Sequence, residues 1–183
     1  FCRYQVTGQE NLPCRGPAIL VANHDSRVDT FLIWMLLEWR LMGHLRPIGS
    51  LQYLTSNRLL SFISGNFLRV IYINREVGTL MAVRNALKEG SLVLIYPEGT
   101  RGEPGIMKSF EPGVGLLTKV TPEAPVIPIA LAGTGEVLPK GSLLPRRGRC
   151  RVTIGEPITF ISSDPRARAQ EIEAIVRRLT GST

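Results

Sequence analysis

The chain has 183 residues, 44% hydrophobic and 20% charged, with a formal charge of +7. That balance fits one globular domain with a real core and excludes intrinsic disorder. The positive excess is nearly all arginine, 18 against 4 lysines. Arginine's flat fork suits phosphate and carboxylate, so the expected partners are nucleic acid, an anionic membrane surface or phosphorylated small molecules.

No apolar run reaches the roughly 18 residues that span a bilayer, and the opening FCRYQVTGQENLP carries no secretory pattern. Cys2, Cys14 and Cys150 contain no CxxC pair and are odd in number. This favours reduced thiols in an intracellular-facing environment over a Cys2–Cys14 bridge.

In chain order, PAILVANH (17–24) reads as a buried strand, because its apolar residues run without alternation. Residues 29–40 have helical composition, with a stop near Gly43. Within them FLIWMLLEW (31–39) is apolar around most of its circumference, which favours core packing over an interfacial helix. HLRPIGS (44–50) is a short strand, SNRLLSFISG (56–65) a helix and FLRVIYINR (67–75) a β-branched, aromatic strand. GTLMAVRNALKEG (78–90) is a helix capped by Thr79 and stopped by Gly90, and SLVLIYP (91–97) a second buried strand. EPGVGLLTKV (111–120) contains a short helix, and APVIPIALAG (124–133) and RCRVTIGEPI (149–158) are strands. KGSLLPRRGR (140–149) reads as a basic surface loop. DPRARAQEIEAIVRRL (164–179) closes the chain as an amphipathic helix, Asp164 capping, Pro165 at the first position, and Ile172, Ile175, Val176 and Leu179 on one face. The alternation predicts a single α/β domain over 1–183, with a largely parallel sheet flanked by helices.

The chemistry concentrates where strands end. VANHDSRVDTF (21–31) holds one of two histidines and two of three aspartates. A general base needs a pKa near neutrality, and a carboxylate on the far ring nitrogen fixes its tautomer. On a regular helix, five residues turn about 140° and would separate His24 from Asp29. The pair closes only if His24 lies before the helix, across a turn that Asn23, Asp25 and Ser26 favour. In isolation, Asp29 as a plain helix cap is the stronger reading. YPEGTRG (96–102) follows another buried strand and offers two glycines for close backbone approach and Arg101 as a phosphate fork. Arg75 ends a third strand. Together they describe a cleft at the carboxyl ends of parallel strands.

NHDSRVD (23–29), INR (73–75), YPEGTR (96–101) and VIPIA (126–130), in that order and led in by VTGQENLP, resemble the four blocks of the glycerolipid acyltransferases, the family that includes the bacterial lysophosphatidic acid acyltransferase PlsC. The resemblance runs from about residue 5 to 160. It implies an acyltransferase in which His24 deprotonates an acceptor hydroxyl and Asp29 orients His24. The alkoxide would then attack an acyl-coenzyme A or acyl carrier protein thioester, without a covalent acyl-enzyme, a metal or a further cofactor. Arg75, Glu98, Gly99, Thr100 and Arg101 would hold the acceptor, 1-acyl-sn-glycerol-3-phosphate or a relative such as a lyso-ornithine lipid. Glu98, repelled by phosphate, is better assigned to a glycerol hydroxyl or to Arg101, and Pro128 to a structural role.

Asn74 before Arg75, Tyr96 in place of the usual phenylalanine, and Arg27 inside the first block depart from the pattern. The family's usual anchoring helix ahead of the first block is expected to be missing from the 22 residues that precede Asn23. The work is expected at the cytoplasmic face of a membrane, the bacterial inner membrane foremost, with lipid and thioester as partners and no nucleic acid. Aromatics are only 7% and mostly strand-buried, which argues against a nucleic-acid-binding domain. A non-catalytic lipid carrier is the other rival, and the intact His24–Asp29 pair argues against it.

Overall fold

Runs such as AILVA and LVLI have no polar face, so they belong in a sheet covered on both sides. In the computed structural model, which describes residues 2–50, 69–73, 78–139, 142 and 144–181, they form the centre of such a sheet. Its strands are β1 (Cys2–Thr7), β2 (Ala18–Ala22), β3 (Leu45–Ser50), β4 (Ile71–Ile73), β5 (Leu92–Ile95), β6 (Val126–Ala132) and β7 (Gly148–Ile154). They lie in the order β1-β7-β6-β2-β5-β3-β4. All neighbours are parallel except β6 and β7. The carboxyl ends of β2, β5 and β6 therefore meet along one edge, where the helices α1 (Val28–Leu36) and α5 (Thr134–Val137) begin.

Alternate residues of each central strand feed different cores. Ile19, Val21, Val93, Val126 and Ala130 pack with residues of α3 (Gly78–Lys88), α4 (Gly113–Val120) and α6 (Pro165–Thr180). Leu20, Leu92, Leu94, Ile127 and Ile129 pack with Ile33 of α1, with Leu37, and with Leu41 of α2 (Trp39–Met42). The single helix expected over 29–40 is two, because Leu37 is extended (ψ 148°) and ends α1 one residue earlier. α6 is as its sequence predicts: Asp164 Oδ2 accepts the Ala167 amide at 2.8 Å, Pro165 is the first helical residue, and Gly181 ends the helix at φ +76°.

The structure adds β1 and α5 to the elements read from sequence. Thr79 falls inside α3 instead of capping it. The helix expected over 56–65 lies outside the described residues, as do 67–68 and 74–75 of the strand expected over 67–75, of which β4 is the described part. Among the described residues, no helix is long and apolar enough to cross a membrane.

α4 crosses α6 at a glycine. A Cβ built on Gly115 would sit 1.8 Å from the Pro165 carbonyl oxygen, whereas one built on Gly113, two residues earlier, would meet nothing within 4 Å. Gly115→Ala is therefore expected to destabilise the fold by about 1–3 kcal/mol, as overpacking does. Gly113→Ala should be neutral or gain up to about 1 kcal/mol from helix propensity. Urea unfolding of the two variants reads the difference, and equal stability would contradict the close helix crossing.

Candidate active site

β2 ends at Ala22, and the next residue keeps the chain in register with its neighbour through its side chain. Asn23 donates Nδ2–H to the Leu131 carbonyl at 2.8 Å and accepts the Leu131 amide at 2.7 Å. This reproduces a strand pairing beyond the strand's own end and releases His24 into a turn over the sheet edge. The turn closes on one atom. Asp29 Oδ2 accepts the amides of Asp25 (2.9 Å) and Ser26 (2.8 Å) and lies 2.8 Å from His24 Nδ1. Both amides can only donate, so Oδ2 is an acceptor and the ring proton belongs on Nδ1. Nε2 then keeps its lone pair, which is the state a general base requires. Asp29 is fully buried, while 19% of the His24 side chain remains exposed. Ser26 Oγ donates to the Leu138 carbonyl at 2.8 Å, tying the turn to the residue after α5. Arg27 precedes α1 in helical conformation.

β5 delivers the second motif beside the first. The Tyr96 ring stacks on His24, centroids 4.0 Å apart and planes 17° from parallel, and its hydroxyl shares a 2.9 Å hydrogen bond with Thr30 Oγ1 on α1. Glu98 is buried, and its two oxygens accept different backbone amides: His24 N on Oε1 at 2.7 Å and Lys108 N on Oε2 at 2.9 Å. The carboxylate of Glu98 thus has a local structural role, because it joins the two motifs and folds the 99–108 loop back. Gly99 turns that loop at φ +73°, the left-handed region that glycine enters without steric cost. Gly102 N donates to the His24 carbonyl at 3.3 Å. Thr100 is exposed and accepts Lys108 Nζ at 3.1 Å, and Arg101 is buried beneath the same loop.

His24, Asp29, Glu98, Gly99, Thr100 and Arg101 are therefore brought to one end of the sheet, while Arg75 lies outside the described residues. Pro128 sits inside β6, its carbonyl accepting Gly155 N at 2.9 Å. His44 precedes β3 at the opposite, amino end of the strands. Sequence reasoning did not single out Asn23 or Tyr96 as parts of the site, nor Asp25. Asp25 is buried, and its Oδ2 accepts the Gly105 amide at 3.2 Å. Among the described residues no cluster of three His, Cys, Asp or Glu side chains is disposed to hold a metal ion.

Burial raises the Asp25 carboxyl above its ordinary 3.8 against the opposing Gly105 hydrogen bond, and Asp29 nearby adds to the rise. Burial likewise raises Glu98 above 4.5 although two amides favour its charged form. Burial and then the Asp29 charge push the Tyr96 phenol well above 10.

A family model described as Acyltransferase matches residues 3–132. The chain is 33% identical over 177 residues to a 1-acyl-sn-glycerol-3-phosphate acyltransferase of Pseudomonas aeruginosa, covering 92% of this chain and 64% of that protein. It is 31% identical over 166 residues to the chloroplastic 1-acyl-sn-glycerol-3-phosphate acyltransferase LPAT1 of Arabidopsis thaliana, covering 90% of this chain and 46% of that one. This chain spans about half the length of several curated relatives it matches. Among solved structures, that of the 1-acyl-sn-glycerophosphate acyltransferase PlsC from Thermotoga maritima superposes with a TM-score of 0.80 at 27% identity, covering 98% of this chain and 71% of that one.

The raised Asp25 pKa has a definite sign in stability. A carboxyl whose folded pKa exceeds its unfolded value favours the fold below the unfolded pKa, and that contribution is lost as pH rises through the folded pKa. Asp25→Asn carries no such charge. Its stability relative to the parent is expected to be greatest at neutral and alkaline pH and to fall steadily as the pH is lowered towards 3.8. Urea midpoints of both proteins across that range test it, and a gap that widens on acidification would contradict the burial assigned to Asp25.

Proposed function

The chain belongs to the acyltransferase family, and from that premise we propose that it transfers a fatty acyl chain from a thioester to the free hydroxyl of 1-acyl-sn-glycerol-3-phosphate, yielding phosphatidic acid. The observation that carries the reading is the His24 ring held at 2.8 Å by a buried Asp29 oxygen that two backbone amides also fix. The relatives named as 1-acyl-sn-glycerol-3-phosphate acyltransferases support the choice of acceptor.

In the proposed reaction the acceptor hydroxyl gives its proton to His24 Nε2 while its oxygen bonds to the thioester carbonyl carbon. The resulting imidazolium is stabilised by Asp29 through Nδ1–H and by the face of Tyr96 stacked on it. The tetrahedral adduct collapses by breaking the carbon–sulfur bond, and the departing thiolate takes the proton back from Nε2. No acyl-enzyme forms, so one histidine serves both proton transfers. Arg101, with Arg75 of the second motif, neutralises the acceptor's phosphate. Gly99, Thr100 and Glu98 shape the loop that receives its glycerol. The donor is acyl-coenzyme A or an acyl carrier protein, and the work is done at the cytoplasmic face of a membrane, where both long-chain substrates meet.

A radiolabelled acyl-transfer assay over a panel of lysolipids, including 1-acyl-sn-glycerol-3-phosphate and a lyso-ornithine lipid, tests the proposal with either donor. His24→Ala is expected to lower kcat by about 10²–10⁴, the contribution of a positioned acid–base group, with unfolding midpoints close to the parent's. Asp29→Asn should lower kcat with little change in KM. Full activity in His24→Ala would overturn the mechanism, and preference for another lysolipid would overturn the acceptor.

A further inference from the structure

The end of the sheet that carries His24 also carries a concentration of arginine that the proposed reaction does not use. β7 runs antiparallel to β6, with Arg151 beside Ala132, so the first residues of β7 lie at the catalytic end. β1 is parallel to β7 and puts Arg3 opposite Arg149. The loop entering β7 is tied to that end as well: Arg146 N donates to the Val137 carbonyl at 2.7 Å, next to Leu138, whose carbonyl accepts Ser26 Oγ of the histidine turn. Arg146, Arg147, Arg149 and Arg151 are all exposed, and none forms an ion pair among the described residues. Four exposed arginines gathered at one rim make a positive surface that attracts anions.

Two exposed aliphatic side chains belong to loops at the same end of the sheet. Leu144, two residues before Arg146, is 78% exposed, and Ile106, at the tip of the loop held by Asp25 and Glu98, is 59% exposed. A soluble phosphate ligand would leave both in water. A bilayer would take their side chains among its acyl chains and the arginines among its headgroups.

We propose that Arg146, Arg147 and Arg149, with Leu144 and Ile106 as apolar tips, dock the catalytic end of the sheet onto an anionic lipid bilayer. The proposal deepens the functional reading above and rests on it for its purpose: a site facing the bilayer receives a lysolipid without drawing the acyl chain through water. The electrostatic part should weaken as salt shortens the reach of surface charge.

Cosedimentation of the purified chain with phosphatidylcholine vesicles, with and without phosphatidylglycerol, tests the docking in the absence of substrates. Binding is expected only with phosphatidylglycerol and should decline with salt. Each arginine near an anionic surface contributes about fivefold, so Arg146→Gln with Arg147→Gln should weaken binding roughly 25-fold. Leu144→Asp should also weaken it, and Trp39→Ala, exposed at the start of α2, should not. These exposed substitutions should leave the unfolding midpoint unchanged. Parent-like vesicle binding by the double arginine variant would overturn the proposal. Loss of binding in Trp39→Ala alone would move docking to α1 and α2. A raised KM for acyl-coenzyme A with dispersed acceptor and unchanged vesicle binding would reassign the rim to the donor's phosphates. Because binding is read without turnover, a parent chain that binds vesicles through these arginines but transfers no acyl group would overturn the functional reading and leave the docking intact.

Discussion

A single buried oxygen, Oδ2 of Asp29, accepts the His24 ring and the amides of Asp25 and Ser26, and the shape of the catalytic end follows from satisfying it. A carboxylate removed from water is costly unless donors replace its hydration. Here the donors come from the residues that must turn between strand and helix. The same three bonds therefore stabilise the charge, fix the turn and orient the imidazole. Asp29 is also in the first turn of α1, where unpaired amides and the helix dipole favour a negative charge. The helix-cap role expected of Asp29 is not what it plays, because Arg27 stands at the N-cap without a side-chain cap bond and Asp29 reaches back to the turn before the helix. The five-residue spacing is what that tight turn allows.

Two further side chains transmit that geometry into the sheet. Asn23 pairs with both peptide groups of Leu131, which stops β2 and β6 from splaying where β2 leaves the sheet. Glu98 accepts one amide from His24 and one from Lys108, so the loop after β5 is referenced to the histidine's own backbone. A shift of either motif would unpair a buried carboxylate oxygen. For that reason the two motifs, some seventy residues apart, behave as one unit. Tyr96 completes it by filling the space against the imidazole face and binding Thr30 on α1.

What was legible in the sequence depended on how local its cause is. α6 reads directly, because its cap, first-turn proline, apolar face and terminal glycine all lie within eighteen residues of one another. The buried strands read well because burial on both faces leaves an unbroken apolar run. β1 is not legible from its own residues, since Arg3, Tyr4 and Gln5 are all exposed and leave no buried face to read. Its partner β7 is more than 140 residues away, and a six-residue stretch carries little weight without it. Glu98 looks out of place in a phosphate motif by its charge, but its partners are backbone amides. Amides are present at every position and leave no mark in a residue pattern. For the same reason the sequence marks Asn23 as a turn former and a member of the first block, and leaves its pairing with Leu131 invisible.

The distribution of charge at this end bears on how the proposed anionic acceptor would approach. Asp25, Asp29 and Glu98 are all buried around His24, a grouping suited to an imidazolium and hostile to phosphate. An ionised carboxylate and a phosphate charge 6 Å apart repel by roughly 3 kcal/mol at an effective dielectric of about 20. A lysolipid headgroup would therefore be excluded from the carboxylate side of the ring and drawn towards the cationic loops. Only its uncharged hydroxyl would then be left to face Nε2. The interior negative charge would thus do more than support the base. Opposed by the arginine rim, it would orient the acceptor, and burial is the main cause that raises the Asp25 and Glu98 carboxyls, with neighbouring carboxylates adding a smaller push.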